Sequence, residues 1–215
     1  MPRRARLLLI EGVPGLGKST VLDCLLRTHV VGAEERRVRT LLHLTQAHTF
    51  GPLAPAADAG TLTREENVEH LERVVELLEW LADSVEGEAV TKCFALVDTL
   101  HLTHCLRPGA VAWGDVEPYD RRLAAAGCGL VLLDAEDATI RARSVEARAD
   151  TPFIRDYMLR RLVAHPSELV PYFVAERDEF RRMFERSAMR KAALPAELPL
   201  DELMAAAHVF WVEGG

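Results

Sequence analysis

The sequence predicts an α/β fold, in which a five-stranded parallel sheet carries helices on both of its faces. Short apolar runs without a helical stripe, which are typical of strands buried on both faces, alternate with longer segments of helical periodicity. The 215 residues fit a single domain spanning 1–215 and suffice to bury a full core. We find no internal repeat and no low-complexity tract in the chain.

The predicted strands are short segments, most of them compact apolar runs. In chain order they cover residues 6–10, 37–44, 93–97, 130–133 and 187–192. The third run delivers Asp98 at its carboxyl end, and the fourth run ends at Asp134. Because ligands of open parallel sheets bind at the carboxyl ends of the strands, Asp98 is a candidate for chemistry.

The predicted helices follow the apolar periodicity and its start and stop signals. They cover residues 18–28, 63–87, 119–126, 138–148, 153–164, 172–186 and 199–208. The sequence from Thr63 to Glu66 fits a capping box that opens the long second helix, where Trp80 and a leucine stripe are expected in the core. Glycines and prolines among small residues predict a loop over 45–61, and its length favours a substrate loop.

Composition and charge exclude several classes of protein. Hydrophobic residues make up 49% and charged residues 27%, and no run of about 18 apolar residues could cross a bilayer. The apolar run before Glu11 is too short for the core of a signal peptide, so a cytoplasmic protein is expected. The net charge of −7 disfavours non-specific nucleic-acid binding, and the four cysteines form no Cys-x-x-Cys pair.

A glycine-rich motif lies between the first predicted strand and the first predicted helix. It matches G-x-x-x-x-G-K-[ST] and consists of Gly12, Val13, Pro14, Gly15, Leu16, Gly17, Lys18 and Ser19, followed by Thr20. In this context backbone N–H groups surround phosphate oxygens, Lys18 reaches the β- and γ-phosphates, and the Ser19 hydroxyl ligates Mg²⁺. The motif therefore predicts a P-loop NTPase fold that binds ATP, or another nucleoside triphosphate, with Mg²⁺. An ordinary glycine-rich turn with a solvated lysine is the alternative.

The segment resembles the nucleoside and nucleotide kinase family of P-loop proteins, particularly its thymidylate-kinase-like and deoxynucleoside-kinase-like members. Ile10-Glu11-Gly12 opens the loop as in that family, and Gly17-Lys18-Ser19-Thr20 closes it. More loosely, Leu132-Leu133-Asp134-Ala135 and the arginine-rich segment after it look like the family's fourth strand and lid, here 138–152.

In such kinases, lid arginines stabilise the charge on the transferred phosphoryl group. The resemblance therefore implies that arginines of this lid bind phosphate. Arg143 and Arg148 are the first candidates and would be catalytic, and Arg141 would contact the nucleotide. A solvated basic helix face is the alternative.

Asp98 has two candidate roles, since a carboxylate beside the P-loop can hold Mg²⁺ or accept the proton of the attacking hydroxyl. A structural cap on the strand end is the third alternative. The resemblance implies an acidic residue followed by arginine at this position, but Thr99 follows Asp98 here. In the nucleotide kinases that arginine grips the phosphate of the acceptor. Its absence favours an acceptor with a neutral hydroxyl, such as a nucleoside, a sugar or an antibiotic.

Several residues after Asp98 are predicted to line the acceptor pocket. They are His101, His104, Arg107 and Trp113. The helical-turn spacing of the two histidines also fits a metal site, but no third ligand of compatible spacing accompanies them. Histidines packed in the core or lying on the surface are the alternative.

The sequence thus favours a Mg²⁺- and ATP-dependent kinase acting on a hydroxyl of a small molecule. A thymidylate-type nucleoside monophosphate kinase is the alternative, for which Arg64 or Arg107 would supply the second phosphate contact. A regulatory NTP-binding switch is disfavoured, because Asp98-Thr-Leu-His101 lacks the glycine of GTPases and no Asn-Lys pair exists. The acceptor, the base of the donor and the oligomeric state, including a homodimer, stay open.

Overall fold

A computed structural model describes residues 6–31, 39–84, 92–106 and 111–213. These parts of the chain contain one five-stranded sheet in the order β2-β3-β1-β4-β5. The strands are β1 (Arg6–Glu11), β2 (Arg39–Leu44), β3 (Lys92–Asp98), β4 (Gly129–Asp134) and β5 (Arg190–Pro195). All four pairings are parallel, which confirms the predicted sheet.

The helices connect the strands and cover both faces of the sheet. They are α1 (Lys18–Val31), α2 (Gln46–Thr49), α3 (Ala54–Asp58), α4 (Arg64–Ser84), α5 (His101–Leu106), α6 (Trp113–Ala125), α7 (Asp137–Thr139), α8 (Pro152–Arg161), α9 (Val170–Arg186) and α10 (Leu200–Glu213). Helices α1 and α10 contact each other, whereas α4, α5, α6 and α9 form a second connected group. Within the described residues, no helix combines the length and apolar composition needed to span a membrane.

The central strands are buried because both faces of the sheet are covered. The side chains of β1 from Leu7 to Ile10 are at most 1% exposed, and those of β4 from Leu130 to Leu133 at most 2%. Such burial explains why these segments are continuous apolar runs rather than alternating ones. Because the strands are parallel, the carboxyl ends of β1, β3 and β4 lie at one edge of the sheet.

The capping box before α4 is confirmed. The Thr63 N–H donates to Oε2 of Glu66 at 3.0 Å, and the Glu66 N–H donates to Oγ1 of Thr63 at 3.2 Å. The expectation that Trp80 lies in the core is wrong, since 64% of its surface is exposed. Trp80 is two positions after the buried Leu78, which places it about 200° around the helix from the core-facing side. The predicted helix end at Gly87 lies outside the described residues.

Segment 45–61 is largely helical, and its prediction as a loop is wrong. It contains α2, a 3-10 turn over Gly51–Leu53, and α3. Pro52 and Pro55 occupy the first turn of the 3-10 turn and of α3, where a missing N–H breaks no hydrogen bond. These prolines therefore begin helical turns rather than interrupting them.

Several other elements also differ from the predictions, and three of these differences concern α6, the segment 138–148 and β5. Helix α6 begins at Trp113 rather than Tyr119 and contains Pro118 in its interior. The predicted helix 138–148 is α7 followed by a π-turn over Ile140–Val145 and a 3-10 turn over Glu146–Arg148. Strand β5 begins three residues late because Ser187 and Ala188 are held by the Asp120 carboxylate, at 2.5 and 2.7 Å.

Candidate active site

The glycine-rich loop joins β1 to α1 and is enclosed by two neighbouring segments. A side chain at Gly12, whose φ is 137°, would place its Cβ 2.5 Å from the Leu133 carbonyl oxygen at the end of β4. A side chain at Gly15, whose φ is 92°, would place its Cβ 2.9 Å from Cα of Ser144 in the π-turn. Both positions therefore require glycine for conformation and for space.

Helix α1 directs its N-terminus into the loop. The Val21 N–H donates to the Gly17 carbonyl at 3.0 Å, so the N–H groups that precede it lie at the open start of the helix. The Lys18 ammonium donates to the carbonyl oxygens of Gly12 at 2.6 Å and Val13 at 3.3 Å. An ammonium and helix N–H groups converge on one loop, which suits the binding of phosphate oxygens.

Asp98, at the end of β3, lies against the start of α1. Because β1 and β3 are neighbours, with Ile10 opposite Asp98, the Ser19 hydroxyl can donate to Oδ2 of Asp98 at 3.0 Å. Oδ1 of Asp98 is buried and has no hydrogen-bond partner among the described residues.

This pair of residues fits a magnesium ion. A hydroxyl oxygen and a carboxylate with an unpaired oxygen are hard ligands of the kind that Mg²⁺ prefers. No cluster of three or more His, Cys, Asp or Glu suited to a metal occurs in the described ranges. Two protein ligands suffice for Mg²⁺, which commonly completes its shell with water and substrate phosphates.

Thr99 ends β3 with a left-handed backbone. Its φ is 60°, and its N–H donates to the Ile10 carbonyl at 3.0 Å. The hydroxyl groups of Thr99 and Thr49 both donate to the Asp98 carbonyl oxygen, at 2.6 and 3.3 Å. A left-handed threonine costs about 1–3 kcal/mol and persists where surrounding contacts fix it. These hydrogen bonds hold Thr99 in place, at the position where the family resemblance implied an arginine.

One cavity of about 560 Å³ runs from the P-loop to the strand end and the lid. From the loop and α1, its lining residues are Gly12, Pro14, Gly15, Gly17, Lys18, Ser19 and Thr20. From other elements they are Gln46, Asp98, Thr99, Thr103, Arg143, Ala147, Arg148, Phe153, Glu176 and Phe180. Two predicted loop residues, Val13 and Leu16, are 0% and 2% exposed, so their side chains face the core. They can contact a nucleotide through backbone N–H groups only.

The arginine-rich segment 138–152, predicted as a lid, places two arginines at the cavity. Arg143 lines it while Nη1 of Arg143 donates to the Ala196 carbonyl at 2.5 Å. The Arg148 guanidinium lies 4.0 Å from the ring centroid of Phe153, and burial lowers the pKa of Arg148. Arg141 was predicted to contact the nucleotide, but it is exposed and lies outside the cavity lining. Arg141 and Arg143 both belong to the turn over Ile140–Val145, in which Arg143 lines the cavity and Arg141 is exposed.

Solved structures of low sequence identity share this fold. No protein-family model and no curated protein sequence matches the chain. A gluconokinase structure from Sinorhizobium meliloti 1021 is 15% identical, covers 98% of this chain and 94% of its own, and has a TM-score of 0.51. The YorR protein from Bacillus subtilis in complex with phosphorylated GDP is 14% identical, with 96% and 95% covered and a TM-score of 0.59. The chain has a P-loop kinase-type fold.

In this P-loop kinase-type fold, the two predicted pocket histidines are core residues. Both are completely buried and lie outside the cavity lining, which corrects their prediction as acceptor contacts. Nε2 of His101 lies 3.0 Å from Oδ1 of Asp120. Burial acts to raise the pKa of Asp120. Hydrogen bonds from His101, Ser187 and the Ala188 amide outweigh burial, so the pKa of Asp120 is lowered.

His104, on α5, packs against α4 and α2. Its ring nitrogens lie 2.5 Å from Oδ1 of Asn67 and 3.0 Å from the Thr49 carbonyl. Burial lowers the pKa of His104 to about 4, although the hydrogen bond to Thr49 acts in the opposite direction. His104 thus holds the helical segment after β2 against the core, and its neutral ring donates to only one of these two oxygens.

The remaining predicted acceptor residues also lie elsewhere. Trp113 is 7% exposed, under the guanidinium of Arg186, and borders a separate surface cavity. Arg107 falls outside the described residues. Arg64, a candidate phosphate contact, pairs with Asp115 and lies away from the cavity lining.

Sequence reasoning missed several residues that the structure brings to the site. Those that line the cavity are Gln46, Thr103, Ala147, Phe153, Glu176 and Phe180. Glu11 belongs to the segment that opens the predicted loop, and it is also a completely buried carboxylate. A charged residue ending a strand of apolar side chains was the signal, because a buried charge requires hydrogen-bond partners. The other residues come from helices distant in sequence, and no local pattern marks them.

Proposed function

We propose that the chain is a small-molecule kinase that transfers the γ-phosphoryl group of ATP, or another nucleoside triphosphate, to a hydroxyl. One observation carries this proposal: a single cavity is lined by Lys18 and Ser19 of the P-loop, Asp98 of β3 and two lid arginines. Positioning and electrostatic stabilisation supply most of the catalysis of phosphoryl transfer, and these groups provide both. A solved structure of similar fold is a gluconokinase, and another contains phosphorylated GDP.

Each group has a role in the proposed reaction. The loop N–H groups and Lys18 hold the triphosphate, while Ser19 and Asp98 would hold Mg²⁺, which neutralises charge on the phosphate oxygens. The acceptor oxygen forms a bond to the γ-phosphorus as the bond from that phosphorus to the bridging oxygen breaks, releasing the nucleoside diphosphate. Asp98 takes the hydroxyl proton, for which its Oδ1 has no other described partner. Arg143 and Arg148 stabilise the charge on the phosphoryl group in transfer.

The proposed acceptor is a neutral hydroxyl compound, such as a nucleoside, a sugar or a hydroxylated antibiotic. Among the described lining residues, the positively charged side chains are Lys18, Arg143 and Arg148, and these belong to the P-loop and the lid. Thr99 stands where an arginine would grip an acceptor phosphate, and Arg64 is paired with Asp115. A neutral acceptor needs no further cation.

Phosphoryl transfer to a panel of acceptors tests this proposal. Purified protein is incubated with Mg·ATP and either a nucleoside, its 5′-monophosphate, a sugar or an aminoglycoside, and products are identified by mass spectrometry. We expect a neutral compound to gain one phosphoryl group and to be preferred over the monophosphate. A monophosphate that is the much better acceptor would contradict the substrate class, and ATP hydrolysis without transfer to any panel member would contradict kinase function.

A further inference from the structure

Two threonines, Thr99 and Thr103, line the cavity beside Asp98 and are here called the threonine wall. The Thr99 hydroxyl donates its proton to the Asp98 carbonyl oxygen at 2.6 Å. The Thr103 hydroxyl donates its proton to Oε2 of Glu11 at 2.7 Å. Because a hydroxyl carries one proton and two lone pairs, the threonine wall can only accept hydrogen bonds from a ligand.

Glu11 fixes the direction of the Thr103 hydroxyl. The Glu11 side chain is completely buried, and its Oε1 accepts from the N–H groups of Leu100 at 2.8 Å and Leu102 at 3.2 Å. A carboxylate has no proton to offer, so Thr103 must donate to it. Turning the Thr103 proton towards the cavity would leave a buried carboxylate oxygen without that partner, which is costly.

Asp98 extends this surface of acceptors. Its Oδ1 is buried and has no hydrogen-bond partner among the described residues. Gln46 also lines the cavity and carries an amide, which can pair with a donor or with an acceptor. The side chains at the strand end therefore present mostly lone pairs to whatever binds there.

We infer that the threonine wall selects an acceptor molecule that presents hydroxyl protons to it, as a neutral polyhydroxylated compound does. This inference rests on the proposed kinase function and specifies its substrate class. A carboxylate or an ether oxygen in the same place would face lone pairs, and buried polar groups without a partner weaken binding. Thr99 and Thr103 contact the substrate, whereas Glu11 is a positioning residue that acts through Thr103.

Two matched pairs of probes test the selection, by calorimetry in the presence of Mg·ADP. Glucitol and gluconate differ at one terminal carbon, which is CH₂OH in glucitol and a carboxylate in gluconate. Adenosine and its 2′,3′-O-isopropylidene derivative share their sugar oxygens, but the derivative lacks two hydroxyl protons. We expect the proton-bearing member of at least one pair to bind about 2- to 10-fold more tightly. Equal or reversed affinities in both pairs would overturn the inference.

Substitutions locate the preference. Thr103→Val keeps the shape and removes the oxygen, so the preference should be lost, whereas Thr103→Ser keeps the hydroxyl and should retain it. Glu11→Gln presents an amide N–H to Thr103 and frees the Thr103 proton, so the preference should shift towards the member that lacks the protons. A merely structural role of Glu11 would weaken both members equally and would overturn its assignment. Thr99→Val removes the other oxygen of the threonine wall, so it repeats the test made with Thr103→Val if Glu11→Gln does not fold.

A neutron crystal structure of the deuterium-exchanged protein tests the threonine wall without a ligand. We expect the deuterons on Thr99 and Thr103 to point at Asp98 and Glu11, and deuterons that point into the cavity would overturn the inference. Failure of phosphoryl transfer together with an intact probe preference would count against the kinase function alone.

Discussion

Ser19 at the start of α1 and Asp98 at the end of β3 are joined by a hydrogen bond of 3.0 Å across 79 positions of sequence. The parallel pairing of β1 and β3 brings them together, since the two strands end at the same edge of the sheet. The glycine-rich loop therefore lies beside a carboxylate although 79 positions of sequence separate the two groups.

Asp98→Asn separates the roles of this carboxylate. The amide keeps the size of the side chain but cannot accept the proton, so turnover should fall by about 10²- to 10⁴-fold if Asp98 is the base. Donor affinity should then change little, whereas a chiefly metal-binding role predicts loss of Mg²⁺-dependent ATP affinity as well. Steady-state kinetics measure turnover, and calorimetry measures donor affinity.

Asp134→Asn is the matched control, because Asp134 also ends a strand but pairs with Arg181 outside the cavity lining. Normal turnover in Asp98→Asn would exclude Asp98 as the base and as a metal ligand, and it would show that Asp98 is a structural cap on the strand end.

Lys18→Ala should abolish turnover and weaken triphosphate binding while the fold stays intact. The ammonium contacts backbone carbonyls of the glycine-rich loop and lines the cavity, so its loss removes a phosphate contact without opening the core. Calorimetry with Mg·ATP gives the affinity, and circular dichroism checks the fold. A wild-type Kd for Mg·ATP would refute the assignment of the loop.

Arg143→Ala and Arg148→Ala should lower kcat more than donor affinity. Contacts to the phosphoryl group in transfer strengthen in the transition state, so their loss appears mainly in kcat. Arg155→Ala is the control, since Arg155 is exposed and donates to the Asp150 carbonyl. Unchanged kcat in both lid variants would refute the role of the lid arginines.

The buried His104 predicts a pH-dependent stability. Its pKa is about 4 in the folded protein, against about 6.5 in an unfolded chain. Between these values the unfolded chain binds a proton that the folded protein excludes, so the free energy of unfolding should decrease as the pH falls from about 6.5 to about 4.

Urea unfolding at several pH values measures this dependence, with a slope from His104 of at most about 1.4 kcal/mol per pH unit. The slope should be smaller in His104→Gln and unchanged in His165→Gln, whose side chain is exposed. Equal slopes in the wild type and His104→Gln would show that His104 is not the titrating group.

The sequence predicts the sheet, the glycine-rich loop and Asp98, because short stretches of consecutive residues identify each of them. Apolar runs identify buried strands, and the glycine motif identifies the loop, while Asp98 is found simply by following β3 to its end. The rest of the cavity lining could not be predicted in this way. Gln46, Thr103 and Phe180 reach it from three separate helices, and only the packing of those helices brings them together.

The errors have the same origin. His101 and His104 follow Asp98 closely, which favours a site beside it, but their partners Asp120 and Asn67 lie 19 and 37 positions away. Those partners turn both rings into the core. Likewise, Pro52 and Pro55 indicate a loop unless the exact helix start is known, because a proline is harmless in the first helical turn.

The contact between Gly15 and Ser144 limits what genetics can reveal about this protein. Position 15 belongs to the glycine-rich loop, yet it also provides the space in which the backbone of Arg143 and Ser144 approaches. Any larger residue there would alter the loop and displace the lid in one step. A substitution at Gly15 would therefore give an inactive protein without revealing which of the two parts had failed, and only changes on the lid side could separate them.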